Sequence, residues 1–211
     1  MAPVKTRFLT VVAFLSIFAF LPMAATGALV GSISGPGGGL IVGGDWTADV
    51  SLAWSVSDTG SAYLYSYTFK APDPGLSHFD LQVSGNFSRG NILEISNETY
   101  ELGAFSADTG NSNPGWPVGE ILYGIKFEGF GDASPWEFTL LTDRAPMDGD
   151  FYAKGGKESF AYNSGFGALE GATILVPDTE SYPVIPEPET MMLIGSGLIV
   201  IAGWGRKRFH K

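Results

Sequence analysis

From residue 46 onward the apolar residues recur at every second position, and this period constrains the fold more than any other feature of the chain. Val50, Leu52, Trp54 and Val56 alternate with Ser51, Ala53 and Ser55, and after Asp58-Thr59-Gly60 the pattern resumes with Tyr63, Tyr65, Tyr67 and Phe69. Successive side chains of a strand point to opposite faces, so alternation about a glycine-containing turn specifies a hairpin with one buried face. Further strands are predicted at 78–84, 92–95, 121–127, 136–142, 150–154, 159–162 and 172–176. Turn chemistry separates them at Pro72-Asp73-Pro74-Gly75, Asn111-Ser112-Asn113-Pro114-Gly115 and Ala145-Pro146-Met147-Asp148-Gly149. No stretch between 46 and 176 holds helical spacing for more than two turns, and a parallel sheet needs interposed helices. The expected fold is therefore all-β, an antiparallel β-sandwich or jelly-roll over residues 46–180. No internal repeat suggests a propeller or solenoid. Residues 31–44 hold seven glycines and a proline, so 29–45 read as a Gly-rich flexible leader with at most one short strand at Leu40–Val42.

The two ends have a different grammar. Lys5 and Arg7 precede an apolar run from Phe8 to Leu21, followed by Pro22 and small residues to Ala28. These are the parts of a secretory signal peptide, expected over 1–28, with signal peptidase cutting after Ala28 or Gly27. At the other end, Pro186-Glu187-Pro188-Glu189 leads into an uncharged stretch from Met191 to Trp204, and Arg206, Lys207, Arg208 and Lys211 follow. Fourteen helical residues make about 21 Å, a short span that Trp204 and snorkelling cations would extend. The expectation is a single C-terminal membrane helix at about 190–205, with the basic stop Arg206, Lys207 and Arg208 fixing the tail in the cytoplasm.

The order Pro186-Glu187-Pro188, an apolar segment containing Gly195-Ser196-Gly197-Leu198, and Arg206-Lys207-Arg208 resembles the PEP-CTERM sorting signal of exported Gram-negative proteins, here over 181–211. The resemblance implies passage through the inner membrane, transient anchoring there, and processing by an exosortase-type transpeptidase. It also implies a final place at the outer surface or in an exopolysaccharide and biofilm matrix, with extracellular polysaccharide as a partner. Segments of the middle region, among them Ser77-His78-Phe79-Asp80-Leu81 and Gly149-Asp150-Phe151-Tyr152-Ala153-Lys154, resemble a domain common among proteins with this tail, for which no chemistry can be carried over.

Charge and composition bound the chemistry. The 211 residues carry a net charge of -10, but half of the 12 basic residues belong to the two ends. Residues 29–185 keep twenty acidic residues against six basic ones, a net charge of -14. Nucleic acid is excluded as a partner, because phosphate binding needs concentrated Lys and Arg. With no cysteine, thiol catalysis, thiolate zinc sites and disulfides are excluded as well.

Candidate sites are few. His78 is the only histidine of the exported region, since His210 lies in the tail, and it reads as a structural or surface residue, without the signature of a nucleophile elbow. Asp143, Asp148 and Asp150 cluster in sequence around Arg144. They offer a solvated turn salt-bridged to Arg144, a Ca2+ site lacking the Asp-x-Asp-x-Asp-Gly register, or a carboxylate pair of the kind glycosidases use. Glu94, Glu98 and Glu101 form a second acidic run. Trp116, in Asn113-Pro114-Gly115-Trp116-Pro117, is either a sugar-stacking indole on a rigid loop or a cap on the core. The Tyr63, Tyr65, Tyr67 row shares its register with Phe69 and reads as buried. The expected function is a non-enzymatic secreted or surface protein that needs no cofactor, Ca2+ aside. The alternatives are a carbohydrate-binding or adhesin module using Trp116, and a glycosidase using Asp and Glu.

Overall fold

The computed structural model describes residues 27–181, apart from 98, 110–112, 131–133 and 169. The predicted signal peptide up to residue 26, the membrane helix, the motif Pro186, Glu187 and Pro188, and the stop Arg206, Lys207 and Arg208 lie outside the described residues. Among the described residues, no helix is long and apolar enough to cross a membrane.

The described chain is all-β, with antiparallel sheets. Its strands are β1 (Leu29–Gly35), β2 (Leu40–Gly43), β3 (Val50–Asp58), β4 (Tyr63–Lys70), β5 (Leu76–Gln82), β6 (Ile92–Ile95), β7 (Tyr100–Phe105), β8 (Leu122–Glu128), β9 (Trp136–Thr142), β10 (Arg144–Gly149), β11 (Phe151–Gly155), β12 (Phe160–Asn163) and β13 (Ile174–Ser181). One sheet has the order β1-β3-β4-β9-β6, a second β2-β12-β11-β5-β8-β7, and β10 and β13 form a two-stranded ribbon. The alternation read from the sequence sets the register of the first sheet. Leu52, Val56, Tyr65, Tyr67 and Phe69 are buried, while Ser51, Ser55 and Ser57 between them are only partly covered.

The two large sheets meet across one aromatic core. Phe138 of β9 lies 4.7 Å, centroid to centroid, from Phe79 of β5 and 4.8 Å from Phe127 of β8. Phe69 makes edge contacts with Phe79 and Phe151. Such pairs add about 0.5–1.5 kcal/mol beyond the area they bury. The ribbon is tied to this core through tyrosine hydroxyls: Tyr65 donates to the carbonyl of Arg144 at 2.9 Å and Tyr67 to that of Leu175 at 2.8 Å.

Two sequence expectations are corrected. Residues 29–45 are not a flexible leader: β1 pairs with β3 along its whole length, Leu29 opposite Val56 through Gly35 opposite Val50, and β2 pairs with β12. Their glycines make room for rings. A Cβ on Gly31 would come within 2.3 Å of the Trp54 indole, and one on Gly43 within 2.4 Å of the Phe160 ring. The domain therefore begins at Leu29 rather than at 46. The stretch 144–149, read as turn and acidic loop, is strand β10, with Pro146 opposite Pro177 next to a register shift. Proline is tolerated there because a two-stranded ribbon leaves outward edges that need no donor.

The topology sends both ends of the described chain to one pole. Leu29 lies opposite Val56 beside the β3–β4 turn, Tyr63 lies opposite Thr142, and Ser181 lies opposite Arg144. Gly27, Leu29, Tyr63 and Pro146 line a common depression at this pole. Strand β5 runs toward it, since Asn86, just past its end, accepts from Arg144. The first half of β5, including His78, therefore lies toward the opposite pole.

Candidate functional site

Strand β5 is buried on both faces, and that places titratable groups where an all-apolar pattern is expected. Phe79 and Leu81 point into the main core, whereas His78 and Asp80 share the outer face of the second sheet. Across that face, His78 lies between Lys154 of β11 and Glu128 of β8, and Asp80 lies between Tyr152 of β11 and Lys126 of β8. Glu101 of β7 follows Lys126 in the second row. The first row of charged and polar side chains thus crosses three strands and the second four.

A loop between β7 and β8 covers part of this face with a second small core. Trp116 packs at 4.6 Å from Tyr152 and edge-on to Phe166, with Phe105 and Leu122 beside them. The Tyr152 hydroxyl donates to the carbonyl of Pro114 at 2.7 Å, and the Trp116 indole N–H donates to the carbonyl of Glu120 at 3.0 Å. Asn113 holds the start of the loop by donating to the carbonyl of Ser106 at 2.7 Å. Next to this cover, Ser77, His78, Thr109, Asn113, Lys126, Glu128 and Lys154 line a cavity of about 240 Å³.

The electrostatics around His78 are unusual. Asp80 is 1% exposed, and neither carboxylate oxygen has a hydrogen-bond partner. His78 Nε2, also unpartnered, lies 3.6 Å from Asp80 Oδ2, too far for a hydrogen bond. Burial raises the Asp80 pKa well above the carboxylate range, against the pull of Lys126. Burial, reinforced by Lys126 and Lys154, lowers His78 to about 4. Burial thus disfavours the charged form of both groups, imidazolium and carboxylate alike. Above it, Lys126 Nζ donates to Glu128 Oε1 at 2.7 Å, which holds the Glu128 carboxyl below its usual range. A larger, open depression of about 420 Å³ lies among Ser96, Asn97, Phe130 and Trp136. Among the described residues that line it, the titratable side chain is Glu137, which is exposed.

The other sequence candidates take different places. Trp116 is 5% exposed; Tyr152 and Phe166 cover its indole, so it caps a core and presents no platform to a sugar. Asp143, Asp148 and Asp150 do not gather around a common point. Asp143 accepts from Asn91 Nδ2 at 2.9 Å, Asp148 from the Thr173 hydroxyl at 3.0 Å, and Asp150 from Asn163 Nδ2 at 2.7 Å and from the Gly167 N–H. Strand pairing of β10 pulled the three apart. Among the described residues no group of three His, Asp or Glu is placed to hold a metal ion. Arg144 is drawn inward instead, donating to Asn86 Oδ1 and to Asn91 Oδ1 at 3.1 Å, with Nε 3.6 Å from Asp143. The sequence reading met His78 but passed over Asp80, although two polar residues at i and i+2 within an apolar strand were a visible signal.

Comparison with known proteins bears on the tail. Residues 184–208 match the PEP-CTERM protein-sorting motif. No curated protein matches the chain, and no solved structure does. The motif implies export and processing by an exosortase-type membrane enzyme.

Proposed function

We propose, with the sorting motif as premise, that this is a non-enzymatic β-sandwich protein delivered to the cell surface and incorporated into an exopolysaccharide or biofilm matrix. Its signal peptide would be removed near Ala28, and the exosortase-type enzyme would act at Pro186-Glu187-Pro188. The observation that carries this reading is the spacing at the tail. The last strand ends at Ser181, paired with Arg144, and the motif begins at 184. The sorting signal thus follows in sequence directly on the strand that ends at the pole of Ser181, with residues 182–189 before the predicted membrane helix. The non-enzymatic reading draws support from the separate engagement of Asp143, Asp148 and Asp150 and from a His78 whose basicity burial has removed, leaving it a poor general base near neutral pH.

Replacing Pro186-Glu187-Pro188 by three alanines in the full-length protein tests the reading. Pulse-chase labelling with fractionation is expected to show the unprocessed form accumulating in the inner membrane. Unchanged processing and release would overturn it.

A further inference from the structure

The edges of the two large sheets are unequally protected. An edge strand presents unpaired N–H and C=O groups, and proteins blunt such edges with short strands, bulges, prolines or charges. At one edge of the first sheet, β6 is four residues long, is broken by a register shift between Ile92 and Glu94, and carries the exposed Glu94. In the second sheet β7 carries the exposed Glu101, and β2 is again four residues long. The remaining edge, β1, has none of these devices. Its seven residues include no charge and no proline, and they pair with β3 without a register shift. Leu29 is 51% and Val30 75% exposed. The outward direction of the backbone follows from Ser34, whose N–H donates to the carbonyl of Gly38 at 2.9 Å and so points away from β3. Residues of an antiparallel ladder alternate between bonding the partner and facing the other way. Val30 and Ser32 therefore also turn their N–H and C=O groups outward, and both residues are exposed.

We propose that β1 pairs edge to edge with β1 of a second copy of this chain, antiparallel about a two-fold axis at Gly31, joining the two five-stranded sheets into one. In this register Val30 of each protomer lies opposite Ser32 of the other, and each such pair exchanges two N–H to O=C bonds, about four in all. Antiparallel pairing of identical strands is two-fold by construction, so the assembly closes as a dimer. Gly31 puts no side chain at the axis, because the Trp54 indole occupies the place a Cβ would take. Charge selects the occupant. Residues 29–185 hold twenty acidic side chains against six basic ones, so two copies repel in most approaches. Self-pairing of β6 or β7 would bring Glu94 or Glu101 toward its counterpart. Behind β1 on the outer face stand Ser51, Ala53 and Ser55, opposite Ser34, Ser32 and Val30, and no charge meets its like. The pairing is a property of the folded domain and does not depend on whether the tail is processed.

The test uses the full-length chain in density-matched detergent micelles. Sedimentation equilibrium is expected to show a monomer and dimer whose ratio follows protein concentration. Val30→Pro removes one outward donor per protomer while leaving the β3 ladder intact. It is expected to raise the dimer dissociation constant about tenfold or more, the effect of losing two hydrogen bonds. Should that variant lose its fold by near-UV circular dichroism, Val30→Lys, which sets like charges along the seam, serves in its place. Because the chain has no cysteine, single substitutions report the register. Opposed Cα atoms of a bonded pair lie about 5.5 Å apart, within disulfide range. A mixture of Val30→Cys and Ser32→Cys chains should therefore form a covalent dimer on oxidation faster than either variant alone, whose like residues stand diagonally. Several outcomes would overturn the proposal: a chain monomeric throughout the concentration series, a dimer equally tight in a folded Val30 variant, or cross-linking no faster in the mixture than in its components. Cross-linking between Ser32→Cys and Ala53→Cys chains would also overturn it, since β1 would then be exchanged between copies rather than paired at the edge.

Discussion

Two buried polar clusters sit at opposite ends of this domain, and they solve the problem of burying charge in opposite ways. At the pole where the chain ends emerge, the Arg144 guanidinium donates to Asn86 and Asn91 and forms an ion pair with Asp143 at 3.6 Å, and Asn91 in turn donates to Asp143. At the other pole, Asp80 and the Nε2 of His78 are equally buried and have no hydrogen-bond partner. A buried polar group without a partner costs about 1–3 kcal/mol, and a satisfied one contributes modestly. The first cluster stitches β10 to the segment after β5 and so holds the ribbon that carries the sorting signal. The second weakens the fold locally beneath a cavity, which is the signature of a site kept for a task other than stability.

The contrast can be broken first at its strong end. Arg144→Ala would leave Asn86, Asn91 and Asp143 facing a void, and loss of one member of a buried network costs about 3–5 kcal/mol. Urea unfolding followed by tryptophan fluorescence should show that loss, and the variant should also present β13 and the adjoining tail to proteases. Asn91→Ala is expected to cost less, about 2–3 kcal/mol, since Arg144 keeps Asn86. Asp143→Ala should cost about 1 kcal/mol by the same measurement, because that carboxylate is one-third exposed and water can replace it.

The weak end should respond with the opposite sign, and its pH dependence is the subtler probe. His78 has a folded pKa lowered to about 4, so between about pH 6.5 and 4 the unfolded state takes up a proton that the folded state refuses, and stability falls with acid. Asp80 has a raised folded pKa; its contribution is present below its unfolded value of about 4 and lost as pH rises. Over about pH 4 to 6.5 the two slopes oppose each other. The groups facing them are Lys154 and Tyr152 from β11, Lys126 and Glu128 from β8, and Glu101 from β7. His78→Asn should therefore leave the Asp80 slope uncovered, with stability now decreasing as pH rises through this window. Asp80→Asn should do the reverse. Denaturant titrations at half-unit pH steps distinguish the two; parallel curves for both variants would remove the coupling.

These two clusters also mark how far the sequence could be read. The alternation Val50 to Val56 and Tyr63 to Phe69 revealed the first sheet, because each strand there carries its own face pattern. The glycine-rich stretch misled, because glycine composition looks alike whether it serves flexibility or clearance. The rings that demand clearance, Trp54 over Gly31 and Phe160 over Gly43, lie 23 and 117 positions away in the chain. Trp116 misled for a related reason: proline and glycine mark a loop, but not whether that loop folds back onto Tyr152. The acidic run 143–150 looked like one site, and strand pairing distributed it among three partners. Of the cavity itself only His78 was visible, since Lys126, Glu128 and Lys154 join it by sheet register alone.

The most direct test of the contrast is the unfolding free energy of Asp80→Asn at pH 7, measured beside the parent chain. The amide keeps the shape of the side chain, needs no proton held against solution, and can donate toward His78 Nε2. A gain of about 1–2 kcal/mol is the predicted result, because the amide removes the cost at pH 7 of burying an acid whose pKa is raised in the folded state. A loss approaching that of Arg144→Ala would show that Asp80 is a structural member of the fold, and would contradict the distinction between the two poles.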